Sequence, residues 1–216
     1  MKVDITIPES LNEITLNQFQ KYSKLIKDNE PSDFVNQKTI EIFCDIQLNE
    51  VAKISYQSTQ EILQHLKDIF EVNTKLIPTF KIGDIEFGFE PNLEQITSGA
   101  YIDANEYLTD IQTLHKAMAV LYRPIVKKHK NVYIIEEYKT AETYSEIMKY
   151  APVTVALGMQ VFFYDLAKEL MNATSHYLQQ NLQTLSEQEK KVLEKNGVGI
   201  NQFMQQLKEI SYDLTL

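Results

Sequence analysis

Four histidines and one cysteine are the residues of this chain best suited to metal binding or nucleophilic catalysis. The histidines are His65, His115, His129 and His176. None has a second histidine three or four positions away, so the helical His-Glu-x-x-His zinc motif is absent. We predict a structural or exposed role for His115. Cys44 ends the apolar run Ile40–Phe43, which predicts a small buried hydrophobe and not a reactive thiol.

Three carboxylates form the best candidate for a cation site. Asp103, Glu106 and Asp110 stand at i, i+3 and i+7, so they share one face if the segment is helical. Two interpretations stay open, a divalent-cation site and a solvated acidic face. Ca²⁺ usually also takes ligands from loop carbonyls, which favours the acidic face.

One short basic run, Lys127–Lys130, could contact phosphate. The chain carries 21 Lys and Arg against 30 Asp and Glu, a net charge of −9, and Arg123 is its one arginine. An acidic field and a shortage of arginine disfavour binding to nucleic acid or an anionic membrane. We therefore expect an exposed loop between Pro124 and Val132.

The motifs of common enzyme classes are absent. The sequence contains no G-x-G-x-x-G, no G-x-x-x-x-G-K and no G-x-S-x-G. We expect no cofactor and no enzymatic activity. The longest apolar stretch, Val153–Phe163, is too short to span a membrane, and the first residues lack the apolar core of a signal peptide. A cytoplasmic binding protein without membrane contact is the expectation.

Capping patterns predict the helices of the first half. Thr15 and Gln18 have capping-box spacing, which predicts a helix from Thr15 to Asp28. A second box, Ser58–Glu61, predicts another helix start. The alternating segment Val3–Ile7 predicts a short strand, and a helix over 33–45 should turn Phe34 inward with other apolar residues, Ile40 and Phe43.

A change from helical to alternating periodicity predicts a hairpin over 79–89. Gly83 and Asp84 separate the two strands, and Gly at the first turn position favours type II′. The following segment, Pro91–Thr97, resembles Pro8–Thr15, which indicates a duplicated turn that leads into a helix. Residues 100–123 should be mostly helical, with a break before Pro124, and Val132–Ile135 predicts one more strand.

The last third is predicted to be helical. Pro152 should begin the most apolar helix, which should lie at the centre of the core and contribute Phe162 as a core residue. Ser186–Glu189 predicts the next helix, which should end at Asn196-Gly197. A separate final helix over 200–210 then carries a narrow apolar stripe, the predicted partner-binding residues Phe203, Met204, Leu207 and Ile210. The alternative is that this stripe packs back on the domain.

These elements predict an α+β fold that is predominantly α-helical, with a helical core and one or two small antiparallel β elements. A chain of 216 residues is long enough for a single domain with its own core. Two subregions are the alternative, a helix-plus-hairpin region over 1–124 and a helical region over 125–216.

Three stretches together resemble the tail- or baseplate-assembly chaperones of tailed bacteriophages. They are Leu11–Tyr22, then Ile42–Ile46 followed by Leu48–Ile54, and then Phe87–Thr97 continued by His115–Pro124. The resemblance therefore covers about the first 125 residues. It implies a non-enzymatic, phage-encoded protein that binds other phage structural proteins in the host cytoplasm. The alternative is a structural component of the virion, in the tail, neck or capsid. Both are compatible with a homo-oligomer, and neither implies catalytic residues.

Overall fold

The structure of the protein, a computed structural model, describes residues 5–71, 74–181 and 187–212. Within these ranges the fold is α+β and mostly helical, which confirms the predicted class. The helices are α1 (Leu16–Asp28), α2 (Asp33–Cys44), α3 (Leu48–Val51), α4 (Tyr56–Phe70), α5 (Ser98–Tyr107), α6 (Leu114–Leu121), α7 (Glu142–Met148), α8 (Val153–Asn181) and α9 (Glu187–Tyr212). The strands are β1 (Thr79–Ile82), β2 (Ile85–Phe89), β3 (Tyr122–His129) and β4 (Val132–Ile135).

The four strands form one antiparallel sheet in the order β1-β2-β3-β4. The predicted hairpin is β1–β2, and Gly83 has the positive φ of 57° that the first position of a type II′ turn requires. Helices α5 and α6 connect β2 to β3, so the two central strands are distant in sequence. The boundary at residue 124, which would separate the two alternative subregions, falls inside β3.

The start of α1 is joined to the start of α8. Thr15 caps α1 with both hydrogen bonds of the predicted capping box. The amide of Leu16 donates to the carbonyl of Ala151 at 2.9 Å, and the amide of Val153 donates to the carbonyl of Ile14 at 2.8 Å. Because Ile14, Leu16, Ala151 and Val153 are fully buried, this junction joins the starts of α1 and α8 within one core.

Two groups of aromatic rings fill that core. Phe19, Tyr22, Phe43 and Phe70 join α1, α2 and α4, with ring centroids 5.1–6.5 Å apart. The second group lies between the sheet and α8, and its members are Phe80, Phe87, Phe89, Tyr122, Phe162 and Phe163. The hydroxyl of Tyr122 donates to the carbonyl of Ile77 at 2.9 Å, so this buried polar group is satisfied.

Several predicted boundaries in the first half are wrong. Of the strand predicted over Val3–Ile7, residues 5–7 form no strand, and residues 3 and 4 lie outside the described residues. Phe34 is 51% exposed, because the inward face of α2 runs through Val35 and Thr39. Helix α4 starts one turn before the predicted box, because the Ser55 side chain accepts from the amide of Ser58. The segment 100–123, predicted to be mostly helical, forms two helices, α5 and α6, which end at Tyr107 and Leu121. From Tyr122 onward β3 pairs with β2.

Two corrections concern the last two helices. Helix α8 is buried on all sides only at its start. From Val161 onward, one side of the helix is exposed. The helix was predicted to lie at the centre of the core, but only its first part does. Helix α9 continues through Gly197, Val198 and Gly199 instead of ending there. A glycine lowers helix propensity, but two glycines in a helix of 26 residues do not end it when neighbouring turns are satisfied.

The repeated motif before α1 and α5 is present as a turn followed by a capped helix. A 3₁₀ turn, Leu11–Glu13, precedes Thr15, and a second one, Leu93–Gln95, precedes Thr97. Both threonines cap their helices through the side-chain oxygen. Within the described residues, a strand precedes the second copy, where β2 ends at Phe89, but residues 5–7 before the first copy form none.

Candidate interaction surfaces

The residues with the most reactive side chains have structural roles. His115 is buried, and its Nδ1 lies 3.0 Å from Gln20 Nε2, which donates to it. Burial, followed by the charge of Lys149, lowers the pKa of His115 and keeps the ring neutral. Burial raises the pKa of the Cys44 thiol to about 11, so it is not a thiolate near neutral pH. His65 Nε2 lies 2.9 Å from the carbonyl oxygen of Pro8.

The three predicted carboxylates do not share a face. Asp103 accepts a hydrogen bond from the Tyr138 hydroxyl. Helix α5 ends at Tyr107, so Asp110 lies beyond it and accepts from the amide of Gln112 at 2.9 Å. In the described ranges no three His, Cys, Asp or Glu side chains are grouped closely enough to hold a metal ion.

The chain's one arginine forms an ion pair that the sequence did not reveal. Arg123 and Glu90 form this pair at the junction of β2 and β3, and both side chains are nearly buried. The guanidinium also lies 5.9 Å from the centre of the Tyr138 ring. The position of Arg123 before Pro124 gave no indication of this role, because Glu90 is 33 residues away. The pair links the two strands β2 and β3.

The predicted partner-binding residues Phe203, Met204, Leu207 and Ile210 lie on the second half of α9, and their side chains are outside the described residues. The helix end predicted at Asn196-Gly197 is absent, because α9 is continuous through these residues. Any surface in this region therefore belongs to a single long helix that packs along α8.

Helix α8 presents an exposed apolar strip that we name the α-stripe, Leu166 and Leu170. These residues lie one turn apart on one face, and they are 38% and 54% exposed. The residues from 165 to 181 continue for about 25 Å beyond the half-buried Phe162–Tyr164 turn. Ala167, Met171 and Thr174 form a neighbouring, less exposed strip. Two residues of α9, Val192 and Val198, are also exposed.

A second exposed apolar surface lies at the end of the sheet, and we name it the β-arm, residues 125–135. Beyond Pro124, β3 pairs with β4 and no longer with β2. A β-bulge between Ile125 and Lys127 shifts the register there. Val126, Val132 and Ile134 are 63%, 74% and 56% exposed. The basic run predicted as a loop lies at the tip of this arm, where Lys127, Lys128 and His129 are in β3 and all are exposed.

No known protein family matches this chain, and neither does any curated protein or solved structure. Among the described helices, none has the length and apolar character needed to cross a membrane. The α-stripe and the β-arm are two exposed apolar surfaces that could contact another protein.

Proposed function

We propose that this protein is a non-enzymatic phage assembly factor, of the tail- or baseplate-assembly chaperone type, that binds another phage structural protein. The resemblance of Leu11–Tyr22, Ile42–Ile54 and Phe87–Pro124 to such chaperones supports the phage context. The absence of common catalytic motifs from the sequence supports a binding role. The host cytoplasm is the proposed place of action.

The observation that carries the proposal is the α-stripe. A helix that continues past its core normally has a polar surface, because exposed leucine gains nothing from water. Here Leu166 and Leu170 stay exposed on the face of a long helix. Such i, i+4 anchors are typical of surfaces that bind an amphipathic partner helix. We propose that the α-stripe contacts a helix of the structural protein until that helix is built into the particle.

The part of α8 that precedes the α-stripe, residues 158–163, is packed tightly enough to hold the α-stripe in a fixed position. Phe162 contacts Phe89 of β2, with ring centroids 5.6 Å apart, and Phe163 packs on both rings. Gly158 lies against the backbone of Lys75. A rigid base reduces the entropy lost when the exposed part of α8 binds.

The experiment starts with capture of the full chain from phage-infected cells, identification of the captured structural protein and reconstitution of the pair from purified components. Leu166→Glu with Leu170→Glu should raise the Kd of this pair at least about tenfold, because both anchors would lose burial. Lys168→Glu, an exposed position on another face of the same helix, is the matched control. Equal binding by both variants and the wild type would refute the proposal.

The alternative, a structural component of the virion, predicts a different fate for the protein. Mass spectrometry of purified particles separates the two. An assembly factor should be absent or far below one copy per partner, and a virion component should be present in a fixed copy number.

A further inference from the structure

The outer edge of β4 is open along the described part of the sheet. β4 is the last strand in the order β1-β2-β3-β4, and its packing neighbours among the strands are β3 and β2. The amide of Glu136 donates to the carbonyl of Pro124 at 2.9 Å, so the backbone groups of Glu136 and, by alternation, Ile134 face β3. The N–H and C=O groups of Tyr133 and Ile135 therefore point to the open edge.

The side chains of β4 do not protect this edge. Natural edge strands usually carry a charge or a proline that prevents pairing with another chain. The strand at the opposite edge, β1, contains the exposed Lys81 and follows Pro78. β4 reads Val-Tyr-Ile-Ile and has neither, and Val132 and Ile134 are exposed. An unprotected edge of this kind is typical of a strand that pairs with another strand.

The charges beside β4 indicate which strand that is. Lys130 lies in the turn that precedes β4, whereas the other members of the basic run Lys127–Lys130 lie beside β4 in β3, and Glu136-Glu137 follows β4. Two copies of such a segment are complementary only when they run antiparallel, because the basic end of each then meets the acidic end of the other. Lys130 and Glu137 are exposed, and within the described residues neither makes an ion pair.

We propose that β4 pairs antiparallel with β4 of a second copy of this chain, which joins the two four-stranded sheets into one. Tyr133 and Ile135 of each copy exchange main-chain hydrogen bonds with the same residues of the other. In this register Glu137 of each copy lies opposite Asn131 of the other, and Lys130, the next residue in the turn, is the nearest basic side chain. Val132 and Ile134 of both copies lie on the same face and pack across the new strand pair.

This dimer is independent of the proposed assembly function, because it uses the edge of β4 and not the α-stripe. A pair of four-residue strands buries less surface than a standard stable interface. We therefore expect a reversible dimer whose population rises with protein concentration.

Charge reversal of the full chain tests the proposal by sedimentation equilibrium. Lys130→Glu and Glu137→Lys should each weaken the dimer about tenfold, because each turns two attractive contacts per dimer into repulsive ones. An equimolar mixture of the two variants should recover the wild-type affinity, since both cross-contacts then join opposite charges. Lys81→Glu, a reversal at the opposite edge, is the matched control and should leave the dimer unchanged.

Hydrogen exchange of the wild-type protein tests the same pairing without any substitution. The amides of Tyr133 and Ile135 should exchange rapidly in dilute protein and become protected as its concentration rises. The amides of Ile134 and Glu136 should be protected at every concentration, because they bond to β3. A chain that stays monomeric, a dimer insensitive to both reversals, or protection of Tyr133 and Ile135 only after addition of a different protein would overturn the proposal.

Discussion

A Cβ atom on residue 158 would lie 2.1 Å from the main-chain carbonyl oxygen of Lys75. Gly158 is in the buried first part of α8, so this contact places the helix directly against the chain that leads into β1. A backbone oxygen cannot move aside as a flexible side chain can. Glycine is required here for close approach.

Gly158→Ala should therefore lower the free energy of unfolding by roughly 2–4 kcal/mol, because α8 must shift away from residue 75. Urea unfolding followed by circular dichroism measures this loss. A variant as stable as the wild type would show that the contact between α8 and residue 75 is looser than the structure has it.

Gly197→Ala should have the opposite effect. The same added Cβ meets no atom within 4 Å, and Gly197 lies inside the continuous helix α9. Alanine should raise the stability of this helix by about 0.5–1 kcal/mol, because it loses less backbone entropy on folding. Thermal unfolding followed by the helical signal tests this. Destabilisation would indicate a break in the helix at this position.

The His115 ring should make stability depend on pH. Its folded-state pKa is lowered by burial first and by Lys149 second, with a smaller opposing contribution from Glu146. Above about pH 6.5, the usual histidine pKa, both folded and unfolded rings are neutral and the full stability is present. As the pH falls below that value, the unfolded ring binds a proton first, so stability decreases until the folded pKa is passed.

His115→Gln isolates this contribution. The variant should have lower stability at neutral pH but a flatter dependence between about pH 8 and pH 5, measured by urea unfolding. Parallel curves for the variant and the wild type would contradict a neutral, buried His115.

The ion pair between Arg123 and Glu90 should matter more than exposed ion pairs. Glu90→Gln leaves the Arg123 charge nearly buried and without a carboxylate, which should cost about 3 kcal/mol of stability. Glu50→Gln, which removes the exposed pair with Lys53, should cost less than about 0.5 kcal/mol. Chemical unfolding of the two variants measures both losses of unfolding free energy. Equal losses would show that the pair between Arg123 and Glu90 is not buried.

Phe162 should be a stability residue and not part of the α-stripe. Its ring packs on Phe89 and Phe163 but is half-buried, so Phe162→Ala should cost about 2–4 kcal/mol. Leu170→Ala, on the exposed part of the same helix, should change stability by less than about 0.5 kcal/mol. Normal stability of Phe162→Ala combined with loss of partner binding would assign Phe162 to the binding surface.

The sequence by itself determined the elements that depend on neighbouring residues. Thr15 and Gln18 cap α1 because both partners of a capping box lie within one turn. Gly83 makes the β1–β2 turn because its backbone adopts positive φ without a steric cost. The strand Val132–Ile135 and the fold class also followed from local composition and periodicity.

Only the tertiary structure decided the features that depend on distant residues. Tyr122 and Arg123 continue a helical pattern locally, yet they belong to a strand because β2 supplies hydrogen-bond partners from 33–35 residues away. The exposure of Leu166 and Leu170 follows from where the core ends along α8, and apolar periodicity cannot reveal that position. The sequence could not predict the open edge of β4 either. The order of strands in a sheet depends on long-range pairing and not on the composition of one strand.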